Sequence, residues 1–78
     1  MKKAQKEELK KILTALIEYQ EYIDTLADEE QDRFDQLSER SQESERGEAL
    51  EEQISNLEYA SDDLEDAIDM LKEVIGEE

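Results

Sequence analysis

The residues with the greatest capacity for chemistry are six carboxylates in the C-terminal half of the chain, spaced like one face of a helix. Carboxylates three or four residues apart on a helix lie about 5–6 Å from each other. Successive phosphates along one nucleic-acid strand are separated by a similar ~6–7 Å once the helical path is added to the axial rise. The sequence therefore predicts a phosphate-like acidic ridge made of Glu58, Asp62, Glu65, Asp66, Asp69 and Glu73. The alternative interpretation is a solvated helix face whose charge keeps the protein apart from other molecules.

These carboxylates do not match a metal site or an active site. The chain has no cysteine and no histidine, which removes thiolate chemistry, the commonest general base and the commonest transition-metal ligand. The acidic run at residues 62–66 lacks the central glycine of a calcium-binding loop. A di-iron carboxylate bundle needs Glu-x-x-His pairs. We therefore predict a protein that is not an enzyme and that binds no cofactor or specific metal ion.

The charge of the chain points to a basic partner. The 78 residues include 25 acidic and 9 basic side chains, for a net charge of −16. Residues 1–11 carry five lysines and two acids, whereas residues 12–78 carry four basic and 23 acidic side chains. Such a field repels nucleic acid and anionic membranes and attracts basic protein surfaces. We expect a protein partner with a basic surface, no direct nucleic-acid binding by the N-terminal lysines, and no membrane association.

The chain reads as two long helices. In the first, predicted over about residues 3–36, apolar residues recur at spacings of three and four. The main row is Leu9, Ile12, Leu16, Tyr19, Ile23 and Leu26, with Leu13, Ala27 and Phe34 beside it. Residues 38–47 contain no apolar side chain, so a polar loop is predicted at about 37–44. An unbroken helix through this segment is the alternative.

The second helix, predicted over about residues 45–75, carries the strongest pattern. Ser44 is the expected N-cap, and Gly76 is the expected stop. Leucine and isoleucine alternate as a heptad seam that Ser61 interrupts once. We predict a core and dimer seam of Leu50, Ile54, Leu57, Leu64, Ile68, Leu71 and Ile75. Gln53, Ala60, Ala67 and Val74 flank this seam and widen it.

These elements predict an all-α fold, a single helical domain over residues 1–78. The two helices should form an antiparallel hairpin, since the connection is short. A chain of this length has difficulty burying a sufficient core alone. We expect a homodimer, either as a four-helix bundle of two hairpins or as an extended coiled coil through the second helix. Tyr22 and Tyr59 fall outside the main rows and are possible aromatic anchors for a partner.

Part of the chain resembles small acidic helical proteins from phages and mobile elements of Gram-positive bacteria. The resemblance covers about residues 29–75 and rests on four segments: Phe-Asp at 34–35, Ser-Glu-Arg-Gly-Glu-Ala at 44–49, Ile-Ser-Asn-Leu-Glu at 54–58 and Leu-Glu-Asp-Ala-Ile at 64–68. Chains of that group often carry a proline in the loop, which this chain lacks. The group has no firmly established function, so the resemblance implies a setting, the cytoplasm of a bacterial host, without a mechanism.

Two functions fit these observations. The first is an inhibitor that mimics nucleic acid and blocks a basic cleft of a host defence protein, as anti-CRISPR and anti-restriction proteins do. The second is a structural, adaptor or assembly-chaperone dimer whose acidity serves solubility alone. The absence of a signal-peptide pattern and of an apolar run of ~20 residues favours a soluble cytoplasmic protein.

Overall fold

The computed structural model describes residues 1–76 and shows an elongated helical hairpin. Helix α1 spans Lys3–Asp35, the short helix α2 spans Glu39–Gln42, and helix α3 spans Glu45–Gly76. Residues 1–76 contain no strand, which confirms the predicted all-α class with two long helices. The Cα atoms extend over 58 × 14 × 13 Å. Within this part of the chain, none of the helices combines the length and the apolar character that crossing a membrane would require.

The two long helices pack side by side in antiparallel directions, and α3 contributes its heptad seam. The seam residues and Gly47 are buried or half-buried, with Ile54, Ser61 and Ile68 the least exposed. All seven apolar residues of the predicted core and dimer seam therefore face α1 of the same chain. An extended dimer paired through this seam would require the hairpin to open.

The face that α1 turns to α3 differs from the main row expected from the sequence. Ile12 and Tyr19 are exposed, at 44% and 64%, although the pattern put both in the row. The inward residues are Leu9, Leu13, Leu16, Gln20, Ile23, Ala27, Glu30 and Phe34, all buried or half-buried. The observed row shares Leu9, Leu16 and Ile23 with the predicted row. At the positions between them it uses the next residue along the chain. It recurs every seven residues and matches the heptad of α3.

The connection between the long helices is a helical turn, where the sequence predicted a polar loop. Ser38 caps α2, because its hydroxyl oxygen accepts a hydrogen bond from the Ser41 backbone at 3.2 Å. The Gln42 side-chain amide donates to the carbonyl oxygens of Phe34 at 3.1 Å and Leu37 at 3.2 Å, which lie at and beyond the end of α1. The Phe34 carbonyl also accepts from the Leu37 backbone amide at 3.0 Å, so Gln42 adds a second bond there and gives the Leu37 carbonyl a partner beyond the helix end. Gln42 therefore ties α2 back onto α1.

Helix α3 starts against this turn. The hydroxyl oxygen of Ser44 accepts a hydrogen bond from the backbone amide of Gly47 at 3.3 Å, which is the bond an N-cap makes. Gly47 is buried, and a Cβ atom at this position would lie closer than 3.0 Å to the backbone carbonyl oxygens of Ser41 and Gln42. The close approach of α2 and α3 therefore depends on the missing side chain.

Candidate binding surfaces

The hairpin has two long flanks, one on each side of the contact between α1 and α3. In a heptad, the e positions border one side of the contact and the g positions border the other. A shallow groove of about 210 Å³ marks the first flank and is lined by Gln31, Phe34, Glu51, Ile54, Ser55 and Glu58. A second groove of about 220 Å³ marks the opposite flank and is lined by Glu30, Arg33, Arg46, Ala49, Leu50 and Gln53. Each flank is therefore built from both helices.

The first flank is strongly acidic. We call acidic face the ten exposed carboxylates at its e and b positions: Glu21, Asp24, Asp28 and Asp35 on α1, and Glu48, Glu51, Glu58, Asp62, Glu65 and Asp69 on α3. No lysine or arginine occupies the e and b positions between Thr14 and Asp69. Two rows of carboxylates thus run along the hairpin, one on each helix, about 8–10 Å apart at the helix axes.

The second flank is apolar along the part of the hairpin that lies away from the turn. We call apolar face the set formed by Ile12, Tyr19, Tyr22, Leu26, Ala60, Ala67, Met70 and Val74, which occupy its g and c positions. Tyr19, Tyr22 and Met70 are 64%, 68% and 65% exposed. Asp63 is the one carboxylate at a g or c position between Ile12 and Leu26 on α1 or between Ala60 and Val74 on α3. Away from the turn, the hairpin therefore separates charge from apolar surface across its width.

The predicted acidic ridge lies entirely on the surface, and its six residues divide between two directions. Glu58, Asp62, Glu65 and Asp69 belong to the acidic face, whereas Asp66 and Glu73 lie on the back of α3, away from α1. The carboxylates of α1 were not part of the predicted ridge. They join it because the antiparallel packing brings the e positions of both helices to the same flank. The spacing of the acids on α1 could have indicated this second row, but only once the inward-facing residues of α1 were known.

The two tyrosines predicted as anchors lie on different surfaces. Tyr22 belongs to the apolar face, and Tyr59 lies on the back of α3. Their exposed fractions are nearly equal, at 68% and 66%. A partner that binds one tyrosine therefore does not reach the other through the same surface.

A polar contact crosses the middle of the hairpin. Ser61 is 6% exposed at the position where it interrupts the seam. Its hydroxyl donates a hydrogen bond to the Asp24 carboxylate, and its backbone carbonyl accepts one from the Gln20 side-chain amide at 3.3 Å. The interruption of the seam is thus matched by polar residues on α1, which sequence reasoning had not connected with Ser61.

A second polar residue, Glu30, occupies an inward position of α1 near the turn. Glu30 is 9% exposed. Both of its carboxylate oxygens accept hydrogen bonds from one guanidinium nitrogen of Arg33, at 3.1 and 3.0 Å. Among residues 1–76, no buried side-chain nitrogen or oxygen lacks a hydrogen-bond partner. The hairpin therefore tolerates a carboxylate in its contact by pairing it with an arginine that stays in water.

The acids of the surface are dispersed along the helices. Within residues 1–76, no group of three or more carboxylates converges as the ligands of a metal ion would. Comparison of the chain with models of protein families, with curated proteins and with solved structures found no match. Function therefore has to be argued from the two faces themselves.

Proposed function

We propose that this protein is a non-enzymatic acidic binding protein that occupies the basic, nucleic-acid-binding cleft of another protein and blocks it. The main support is that the acidic face and the apolar face lie on opposite flanks of the hairpin. Ten carboxylates, without an interleaved base, line one flank, and the opposite flank has one carboxylate among apolar residues over residues 12–26 of α1 and 60–74 of α3. Charge that served solubility alone would gain nothing from such a separation, since solubility depends on net charge.

The form of the acidic face supports mimicry of nucleic acid in particular. Its carboxylates stand on two antiparallel helices, so they form two antiparallel rows of negative charge. Neighbours three or four residues apart are about 5–6 Å from each other along each row. Lysine and arginine side chains that pair with phosphates along a groove can pair with carboxylates at such spacing.

A bacterial host protein, and a defence protein in particular, is the target class that the sequence resemblance suggests. The resemblance to small acidic proteins of phages and mobile elements supports this part of the proposal, and the acidic face supports the basic cleft. The second candidate function, an adaptor or assembly-chaperone dimer, is favoured by the apolar face, which provides exposed aromatic and aliphatic side chains for a protein contact.

The two candidate functions predict different effects on partner binding when acidic side chains of the ridge are neutralised. The informative variant replaces Asp62 and Asp69 by asparagine and Glu65 by glutamine, three members of the acidic face, because single exposed ion pairs are worth less than ~1 kcal/mol each. A matched control replaces Glu18 and Glu52 by glutamine and Asp32 by asparagine. These three exposed acids lie on the backs of the helices, and both variants lose three charges.

The experiment captures partners from a bacterial lysate on the immobilised protein and then elutes them with salt or with duplex DNA. Mimicry predicts a nucleic-acid-binding protein that is released by DNA, lost with the ridge variant and retained by the control. Binding should weaken steeply between 50 and 200 mM salt. A partner that the ridge variant holds as tightly as the unaltered protein would contradict mimicry and favour the adaptor function.

A further inference from the structure

The hairpin leaves a long apolar surface uncovered after its own core is complete. The heptad seam of α3 is used within the chain, against the inward row of α1. Five of the large apolar residues that stay exposed belong to the apolar face: Ile12, Tyr19, Tyr22, Met70 and Val74. A group of exposed apolar side chains on one flank is a candidate contact with another molecule.

We propose that the apolar face is the interface with a second copy of this chain, so that two hairpins form a four-helix bundle. The inference concerns the flank opposite the acidic face and does not depend on the function proposed for that face. The sequence predicted the heptad seam as the contact between copies, but the fold buries that seam inside each hairpin. The contact proposed here uses the residues of the apolar face.

The flank that carries the apolar face is long enough for a contact between two hairpins. The whole hairpin is 58 Å long and 14 Å wide, so one flank has a projected area of roughly 800 Å², about what each partner buries in a standard protein–protein interface. The apolar face covers the part of this flank formed by residues 12–26 and 60–74. A groove of about 380 Å³, lined by Met1, Gln5, Glu8, Leu9 and Ile12, extends the same flank to the start of α1. The flank is thus large enough for a stable contact along the whole hairpin.

Charge selects the surface through which two copies can meet. Two copies, each with a net charge of −16, repel each other through every surface where carboxylates predominate. The apolar face is the flank on which two such chains can approach with the least repulsion. A two-fold interface pairs one surface with itself, so it suits a surface of low charge and excludes the acidic face.

The ends of the hairpin favour an antiparallel arrangement of the two copies. The turn end, residues 29–52, carries ten acids and three arginines. The opposite end includes residues 1–11, with five lysines and two acids. An antiparallel dimer places the lysines of each copy beside the acidic turn of the other, whereas a parallel dimer places the two acidic turns together. We therefore infer that the midpoints of the two α1 helices meet, close to Tyr19.

The test compares two substitutions of the same kind on opposite surfaces. Tyr22→Glu places a charge in the apolar face, and Tyr59→Glu places the same charge on the back of α3, at nearly the same exposure. Sedimentation equilibrium should give twice 9.1 kDa for the unaltered chain. We expect Tyr22→Glu to raise the dimer dissociation constant about tenfold or more and Tyr59→Glu to change it little. Met70→Glu should repeat the effect of Tyr22→Glu from α3.

Circular dichroism of each variant separates dissociation from unfolding, because all three substituted side chains are exposed and the helices should persist. A monomer of 9.1 kDa for the unaltered chain at 100 µM would overturn the proposal, as would a dimer that Tyr22→Glu and Tyr59→Glu weaken equally. The chain has no cysteine, so Tyr19→Cys introduces a single thiol. It should give a disulfide-linked dimer on oxidation, and failure to cross-link would overturn the antiparallel arrangement.

Discussion

The hydroxyl group of Ser61 on α3 donates a hydrogen bond to the carboxylate of Asp24 on α1. This contact joins residues 37 positions apart in the chain and lies where the apolar seam is interrupted. Polar contacts of this kind specify how two helices align, since sliding either helix separates the partners. We infer that Ser61 sets the register of the hairpin at some cost in apolar burial.

Ser61→Ala and Asp24→Ala should each lower the free energy of unfolding by about 1 kcal/mol, in the range of an intramolecular hydrogen bond. The double variant should lose less than the two single losses combined, because both remove the same contact. Urea denaturation of the four chains measures this coupling. Ser55→Ala is the control, since Ser55 is exposed on the same helix. Strict additivity would show that the two groups do not interact.

Gly47 and Gly76 should respond in opposite directions to alanine. Alanine favours a helix by about 1 kcal/mol over glycine. At Gly47 the new methyl group would meet the backbone of Ser41 and Gln42, whereas at Gly76 a Cβ atom has nothing within 4 Å. We expect Gly47→Ala to destabilise the protein by about 1–3 kcal/mol and Gly76→Ala to leave it unchanged or slightly more stable. Thermal denaturation at one protein concentration measures both. Equal effects would mean that the turn adjusts freely to a side chain at residue 47.

Glu30→Leu should stabilise the hairpin. Glu30 is 9% exposed at an inward position, and its partner Arg33 has a side chain that is 63% exposed and can be hydrated alone. Replacing a buried ion pair by well-packed apolar residues is often neutral or stabilising by about 1–4 kcal/mol, and Glu30 is the buried member of this pair. Glu29→Leu, at an exposed neighbouring position, should change stability by less than about 0.5 kcal/mol. A lower midpoint of urea unfolding for Glu30→Leu would show that the Glu30–Arg33 pair is worth more than apolar packing.

Moderate salt should stabilise the protein. The 23 acids of residues 12–78 face four bases, and their mutual repulsion is screened over about 8–10 Å at 0.1–0.15 M salt. If screening recovers about 1 kcal/mol, the melting temperature should rise by about 4–8 °C. Melting curves in 10 and 150 mM sodium chloride measure the change, with choline chloride as a control for specific cation binding. A fall in the melting temperature would mean that attractive ion pairs outweigh the repulsion.

The heptad of the second helix was readable from the sequence because it is strict. Every a and d position from Leu50 to Ile75 is leucine, isoleucine or Ser61, and no other row along that helix is as apolar. A helix with one dominant row has one way to face a partner. The cap at Ser44 followed from residue type, and its hydroxyl oxygen accepts the expected bond. Local chemistry was sufficient in both cases.

The inward row of the first helix required the folded structure. Two rows share Leu9, Leu16 and Ile23, and they differ by one residue between these positions. Periodicity favours the row with Ile12 and Tyr19, which is the more apolar. The hairpin uses Leu13 and Gln20, because the Gln20 amide reaches the Ser61 carbonyl while Tyr19 stays 64% exposed. The choice depends on a residue 41 positions away, which no local pattern contains. The positions of the acidic and apolar faces follow from that choice, so they too depended on how α1 packs against α3.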